Sequence, residues 1–181
     1  MSLLTRQIRA ELVNFVDLPT VHKDLLRLAR EVRKNAQAPY SHFKVGAAVL
    51  SETGQLHRGC NKEDSAYHAL HAEESAISHM IDDEGPQKVL AVAVVAAPGS
   101  VEEIKFFNRA PEHRTDVAID DLCVACAHCL QKIWENCLGD PNVALLGWTS
   151  WGEIVRTTMR DAYTMRFGPE SLGIDIRKDS K

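Results

Sequence analysis

VLAVAVVAA, residues 89–97, is the stretch on which the fold turns. It is a continuous apolar run rich in valine, far too short to cross a membrane. Such a run reads as a strand buried on both faces, the kind found in sheets covered by helices on either side. The flanks agree. Residues 69–82 have a helical pattern that Gly85-Pro86 stops. Downstream, 125–137 reads as helix, 142–148 as strand, 152–156 as a shorter strand and 157–163 as one more helical piece. Upstream, 44–51 and 55–60 read as a hairpin about the turn Glu52-Thr53-Gly54. Before it, a helix over 21–36 lines up Leu25, Leu28, Ala29, Val32 and Ala36, and Ala38-Pro39-Tyr40-Ser41 breaks it. Strands alternating with helices predict a layered α/β domain.

Towards the N-terminus, Leu4, Ile8, Leu12 and Phe15 or Val16 recur at helical spacing, and Pro19 closes the stretch. The expected organisation is therefore a helical N-terminal extension over 1–20 and a catalytic domain over 21–176. Within that domain, 98–122 is a long polar excursion carrying Pro98, Gly99 and Pro111. Excursions of that length in compact domains are functional loops or mobile ones.

With 181 residues, 45% hydrophobic, the chain has material for a sizeable core. Its 21 Lys and Arg against 25 Asp and Glu leave a net charge of −4. Domains that grip nucleic acid through phosphates are usually basic, so this balance disfavours a polymeric substrate and is neutral about a small one. The opening MSLLTRQIRAELVNF lacks the long apolar core of a secretory signal, and no membrane segment is expected. The protein is accordingly expected in the cytoplasm, where thiols stay reduced. Its cysteines, Cys60, Cys123, Cys126, Cys129 and Cys137, then suggest metal or catalysis before disulfides.

Two pieces carry chemistry. His71-Ala72-Glu73 opens one predicted helix and Cys126-Ala127-His128-Cys129 opens another. Histidine-x-glutamate together with C-x-x-C is the pattern of zinc deaminases. Two cysteines three apart at a helix start face one point, and the electropositive helix end favours thiolate. One imidazole and two thiolates leave the fourth position of a tetrahedral zinc open for water, as a catalytic site requires. Glu73 stands beside the metal, placed to move a proton. Other readings of the same residues remain at this point. Cys123-Val-Ala-Cys126 is also a C-x-x-C, and three or four thiols with a histidine can close a structural site. A lone C-x-x-C can be a redox pair. Cys60 and Cys137 read as inert buried thiols.

Further motifs identify a resemblance. Residues 38–48, APYSHFKVGAA, resemble the strand-entry motif of cytidine deaminases. GCNKE at 59–63 is similar to that family's ribose-binding Asn-x-Glu, and HAEESAISH at 71–79 to its zinc and proton-shuttle helix in the branch that uses histidine. CAHCLQKIWE at 126–135 fits the family's C-G-x-C-R-Q-x-x-x-E at Cys126, Cys129, Gln131 and Glu135. FGPESL at 167–172 resembles its F-G-P-x-x-L. The resemblance spans roughly 25–174.

It implies a three-layer α/β/α fold with a mixed sheet of about five strands, and the hydrolytic deamination of cytidine or 2′-deoxycytidine to the uridine product and ammonia. His71, Cys126 and Cys129 would hold Zn2+, and Glu73 would be the general acid and base. Phe43 would pack on the pyrimidine, Asn61 and Glu63 would hold the ribose hydroxyls, and the backbones of Ala72 and Val124 would meet the base carbonyl and the departing amine. Phe167 would line a pocket, often a neighbouring subunit's, which implies a homodimer or homotetramer. Phe43 and Phe167 also fit as plain core, and Asn61 and Glu63 as turn and surface residues. Alternatives to cytidine are another aminated heterocycle or nucleoside, or a non-catalytic zinc protein on the same fold.

Departures from the pattern bear on the pocket. Ala125 stands where the family has proline, and Leu130 where it has arginine. Members with three thiolates follow the shuttle glutamate with an arginine that offsets negative charge; this chain has Glu74. A histidine in place of one thiolate reduces the need for that offset. The spacing from Tyr67 to His71 is one residue short, and the excursion over 98–122 is longer than the family's connection.

Overall fold

The fold is described from a computed structural model covering residues 3–66, 68–98, 124–148, 154–172 and 174–178. The excursion after Pro98, together with Tyr67 and Cys123, lies outside the described residues. Among the described residues the eight strands are β1 (Glu11–Val13), β2 (Phe43–Ser51), β3 (Leu56–Cys60), β4 (Lys62–Glu63), β5 (Ala69–Leu70), β6 (Val89–Pro98), β7 (Ala144–Trp148) and β8 (Ile154–Thr158). The helices are α1 (Thr20–Val32), α2 (Ala72–Glu84), α3 (Ala127–Asn136) and two short ones, α4 (Met159–Ala162) and α5 (Pro169–Leu172). Six strands form one sheet in the order β1-β8-β7-β6-β2-β3, while β4 and β5 pair separately. Only β6 and β7 run parallel; the other neighbours are antiparallel, so the sheet is mixed.

Alternation along the central strands sorts residues between two helix layers. Ala47, Val49, Val92, Val94, Leu145 and Val155 face a core shared with α2 and α3. Ala48, Ala91, Ala93, Val95, Leu146 and Ile154 face a second core against α1, with Leu25, Leu26 and Ala29. The valine-rich run is thus buried on both faces as its composition predicts, and the domain has three layers, α/β/α.

α2 can lie close to the sheet because β3 has a glycine beneath it. A Cβ on Gly59 would come within 2.3 Å of the Ala76 nitrogen and 2.6 Å of the Ala72 carbonyl oxygen. That contact fixes the height of the first turn of α2 above the sheet. The helix starts at Ala72 rather than at 69, because Ala69 and Leu70 pair with Glu63 and Lys62.

The expected N-terminal helix does not form. Residues 3–10 have no regular secondary structure, Glu11–Val13 make β1, and Phe15–Asp17 a single 3-10 turn. A helical stripe there has no surface to bury: Leu3 and Leu4 are 88% and 91% exposed. The edge of β8 instead offers open backbone groups, and β1 pairs with it, Leu12 opposite Val155 and Glu11 opposite Arg156. The Arg156 Nε donates to the Glu11 carboxylate at 3.0 Å. This added strand makes the sheet six-stranded. No helix among the described residues is long and apolar enough to cross a membrane.

Candidate metal centre

Two helix starts meet at one point. His71 is the N-cap of α2 and Cys126 the N-cap of α3; both have extended backbones, and neither uses its side chain to cap its own helix. An N-cap side chain ordinarily turns back to the first N–H groups. Here both turn towards each other. His71 Nδ1 lies 3.4 Å from the Cys126 Sγ and 3.3 Å from the Cys129 Sγ. All three ligand atoms lie within 4.8 Å of one another, the only such group of metal-binding side chains among the described residues. Around a tetrahedral zinc with Zn–N near 2.05 Å and Zn–S near 2.3 Å, N and S ligands sit roughly 3.6 Å apart. The residues therefore fit zinc in spacing and in donor chemistry, with one coordination position left for a small molecule. Cys129 is buried and Cys126 exposed, so the site opens on one side.

Glu73, in the first turn of α2, is 4% exposed. Burial pushes its carboxyl above the usual carboxylate range, against the pull of its own backbone N–H, a hydrogen bond with the Cys129 thiol and the rings of His71 and His128. Burial, followed by the neighbouring Glu73 and Cys126, drives the Cys129 thiol up. A buried acid in contact with a ligand sulfur is poised to hold or release a proton beside the metal position. The Cys137 thiol, pushed up to about 11 by burial, donates to the backbone carbonyls of Trp134 and Asp140, and Cys60 is buried too; both are structural.

The expected substrate residues fall into three groups. Ala72 and Val124 are buried in the core beneath the metal ligands. Phe43, Asn61 and Glu63 are joined at the mouth of β2. The Asn61 side chain accepts from the Val45 N–H at 2.8 Å and donates to the Phe43 carbonyl at 3.0 Å. Glu63 accepts from the N–H groups of Tyr40 (3.0 Å) and Ser41 (3.2 Å) and from the Ser41 hydroxyl. That hydroxyl, chiefly, holds the Glu63 carboxyl below the usual carboxylate range. Because Glu63 pairs with Ala69, this group is tied to the chain that delivers His71. Phe167 stands apart on the C-terminal segment, where its carbonyl accepts from Gln131 Nε2 of α3 at 3.0 Å. Phe43 and Phe167 are 46% and 60% exposed, so neither is core.

The structure adds residues that no sequence spacing connects. Glu74, where three-thiolate members carry arginine, faces α3: its carboxylate lies 3.4 Å from His128 Nε2 and 3.3 Å from Lys132 Nζ. Hydrogen bonds from Lys132 and His128, with the Lys132 charge, outweigh burial and hold the Glu74 carboxyl below its usual range. The His128 ring lies 5.1 Å from that of His71. The inverted charge at position 74 is thus matched on α3 by Lys132 and by a hydrogen-bonding partner in His128. His128 was visible in the sequence between the two cysteines, but its partner was not.

Comparisons with known proteins agree with this geometry. Residues 19–144 match the family model described as the cytidine and deoxycytidylate deaminase zinc-binding region. A cytidine deaminase of Sporosarcina psychrophila is 31% identical over 149 residues, 82% of this chain and 92% of that protein. The fold is similar to the crystal structure of cytidine deaminase from Burkholderia pseudomallei (TM-score 0.59, 27% identity, 81% of this chain and 98% of that one). It is likewise similar to that of the Mycobacterium leprae enzyme (TM-score 0.56, 27% identity, 80% and 98%).

Proposed function

This chain belongs to the cytidine and deoxycytidylate deaminase family, and from that membership we propose that it hydrolyses the exocyclic C–N bond of cytidine or 2′-deoxycytidine, releasing ammonia. The observation that carries the reading is the convergence of His71, Cys126 and Cys129 beside the buried carboxyl of Glu73. His71, Cys126 and Cys129 would hold Zn2+, which when bound would supply a water acidified enough to act as nucleophile at neutral pH. Glu73 would carry one proton of the attacking water to ring nitrogen N3 and then the remaining proton of the hydroxyl added at C4 to the departing amine. The reaction consumes one water and yields the uridine product and ammonia, with Glu73 returned to its starting state.

Phe43 packs on the pyrimidine, and its exposure at the head of β2 supports that role. An Asn side chain offers four hydrogen bonds, and Asn61 uses two on β2, which leaves two for a sugar hydroxyl. A carboxylate accepts about four, and Glu63 has three in use, so one remains for a second hydroxyl. The Glu63 charge also repels a phosphate, which favours the nucleoside over the nucleotide. The backbones of Ala72 and Val124 meet the base carbonyl and the amine. Phe167 lines the pocket, and its large exposed ring supports a homodimer or homotetramer in which it is covered. Two thiolates at the metal position favour a reducing, cytoplasmic setting.

The test is direct. The protein and a Glu73→Ala variant, both assayed for zinc, are incubated with cytidine and 2′-deoxycytidine while cytosine absorbance is followed. Turnover by the parent, and its loss by at least about a hundredfold in a zinc-loaded variant, is expected. A zinc-loaded parent that converts neither nucleoside sinks the proposal.

A further inference from the structure

The N-terminal arm does more than close the sheet edge. Its course is pinned along the C-terminal part of the domain. The Arg9 carbonyl accepts from the Thr157 hydroxyl at 2.7 Å, and Ala10 packs against the core shared with α2 and α3. Beyond this point Arg6 reaches the end of α4. Its guanidinium donates to the Arg160 carbonyl at 2.7 Å and to the Thr164 carbonyl at 2.9 Å. These are carbonyls at and just past the C-terminus of a helix, where a cation is favoured.

The segment that Arg6 grips leads straight to Phe167. It is held from the other side by α3: the Tyr163 hydroxyl hydrogen-bonds Gln131 Oε1 at 2.5 Å, and Gln131 Nε2 donates to the Phe167 carbonyl at 3.0 Å. Gln131 lies two residues after the ligand Cys129. Residues 160–167 are thus clamped between the ligand helix and the arm, and Arg6 is the arm's polar contact with them. The Phe167 ring is 60% exposed, so the backbone that carries it sets where it stands.

The geometry points to Arg6 as a positioning residue for the substrate pocket: it fixes the backbone that presents Phe167, and touches neither substrate nor metal. This rests on the deaminase reading above. Arg6 is exposed and outside β1, so its loss leaves the sheet and the metal ligands in place.

The experiment compares the parent with Arg6→Ala and Arg6→Lys for zinc content, for kcat and KM on cytidine, and for amide hydrogen exchange over 159–167. Arg6→Ala should raise KM by roughly fivefold, the size of one exposed charge-assisted contact, with kcat within about twofold and zinc unchanged. Exchange over 159–167 should quicken, and Arg6→Lys, which keeps the charge but not the fork, should restore part of both effects. Unchanged KM and unchanged exchange in Arg6→Ala overturn the inference, as does a loss of zinc, which would mark a general structural role. A parent without cytidine turnover sinks the deaminase reading instead, and the exchange comparison then decides whether Arg6 holds this segment.

Discussion

Replacing Gly59 by alanine should weaken zinc binding without touching a ligand. The new Cβ would lie 2.3, 2.6 and 2.7 Å from the Ala76 nitrogen, the Ala72 carbonyl oxygen and the Ser75 carbonyl carbon. All three are backbone atoms, so no side chain can swing aside. Relief to the closest separation real Cβ atoms reach, 3.0 Å, requires a displacement of 3.0 − 2.3 = 0.7 Å between β3 and the first turns of α2. His71 caps that helix. Metal sites tolerate about 0.2 Å in ligand distance, so a 0.7 Å retreat of the helix carries the imidazole out of range of a metal held by Cys126 and Cys129. Overpacking of this kind costs about 1–3 kcal/mol. Lost support of a ligand weakens metal affinity roughly ten- to a hundredfold. Competition with a chromophoric chelator reads the affinity, and thermal unfolding of the zinc-free protein reads the stability. Gly54→Ala is the control: its Cβ meets nothing within 4 Å, but its φ of +88° strains any other residue. It should lose about 1–2 kcal/mol and keep its zinc affinity. Parental zinc affinity in Gly59→Ala would refute the claim that this close approach sets the position of His71.

Three other perturbations test separate parts of the structure. Stripping zinc with a chelator should expose Cys126 first among the described cysteines, so mass spectrometry after brief alkylation should find it modified while Cys129, Cys60 and Cys137, all buried, lag behind. Lys88 donates to Asp140 at 2.7 Å and thereby holds that carboxyl below its usual range. A depressed folded-state value adds stability above the unfolded one, about pH 3.9, and loses it as pH falls through the folded value. The urea midpoint of Lys88→Met should therefore trail the parent's at pH 7, and the gap should narrow as pH falls below about 3.9; a gap that does not narrow would refute the ion-pair account. At position 74, installing the arginine of three-thiolate relatives should lower the melting temperature, because it faces Lys132 and His128; the penalty is within about 1 kcal/mol, since both partners are half exposed. A rise in melting temperature would show that Glu74 is not matched to α3.

Much of the fold was legible because burial leaves a strong mark. The run at 89–97 has no polar residue, and only a strand covered on both faces gives that composition. The clustering of His71 with Cys126 and Cys129 was anticipated from the family resemblance, since spacing alone allowed Cys123 with Cys126 as well. The N-terminal helix failed for the opposite reason. Leu4, Ile8, Leu12 and Val16 have helical spacing, but spacing says nothing of what surface is available, and the open edge of β8 took Glu11–Val13 as a strand. Glu74 shows the same limit at the site. A residue and its partners 54 and 58 positions away share no local pattern, so only the packing of α2 on α3 reveals the charge match. Asn61 and Glu63 were singled out for a sugar, yet much of their bonding goes to β2 and the turn before it.

The strand β1 also says something about the order in which the molecule is finished. Glu11 and Arg156, joined by an ion pair, are 145 residues apart along the chain. During synthesis at 5–20 residues per second, the arm waits roughly 7–30 s for the strand it pairs with. Through that interval the hairpin of β2 and β3, α1 and α2 can assemble, while Leu3, Leu4 and Ile8 stay on an unattached tail. Long-range pairings of this kind form late. The arm can pair only once β8 exists, so a nascent chain stalled before residue 156 would leave Glu11–Val13 without the strand it joins.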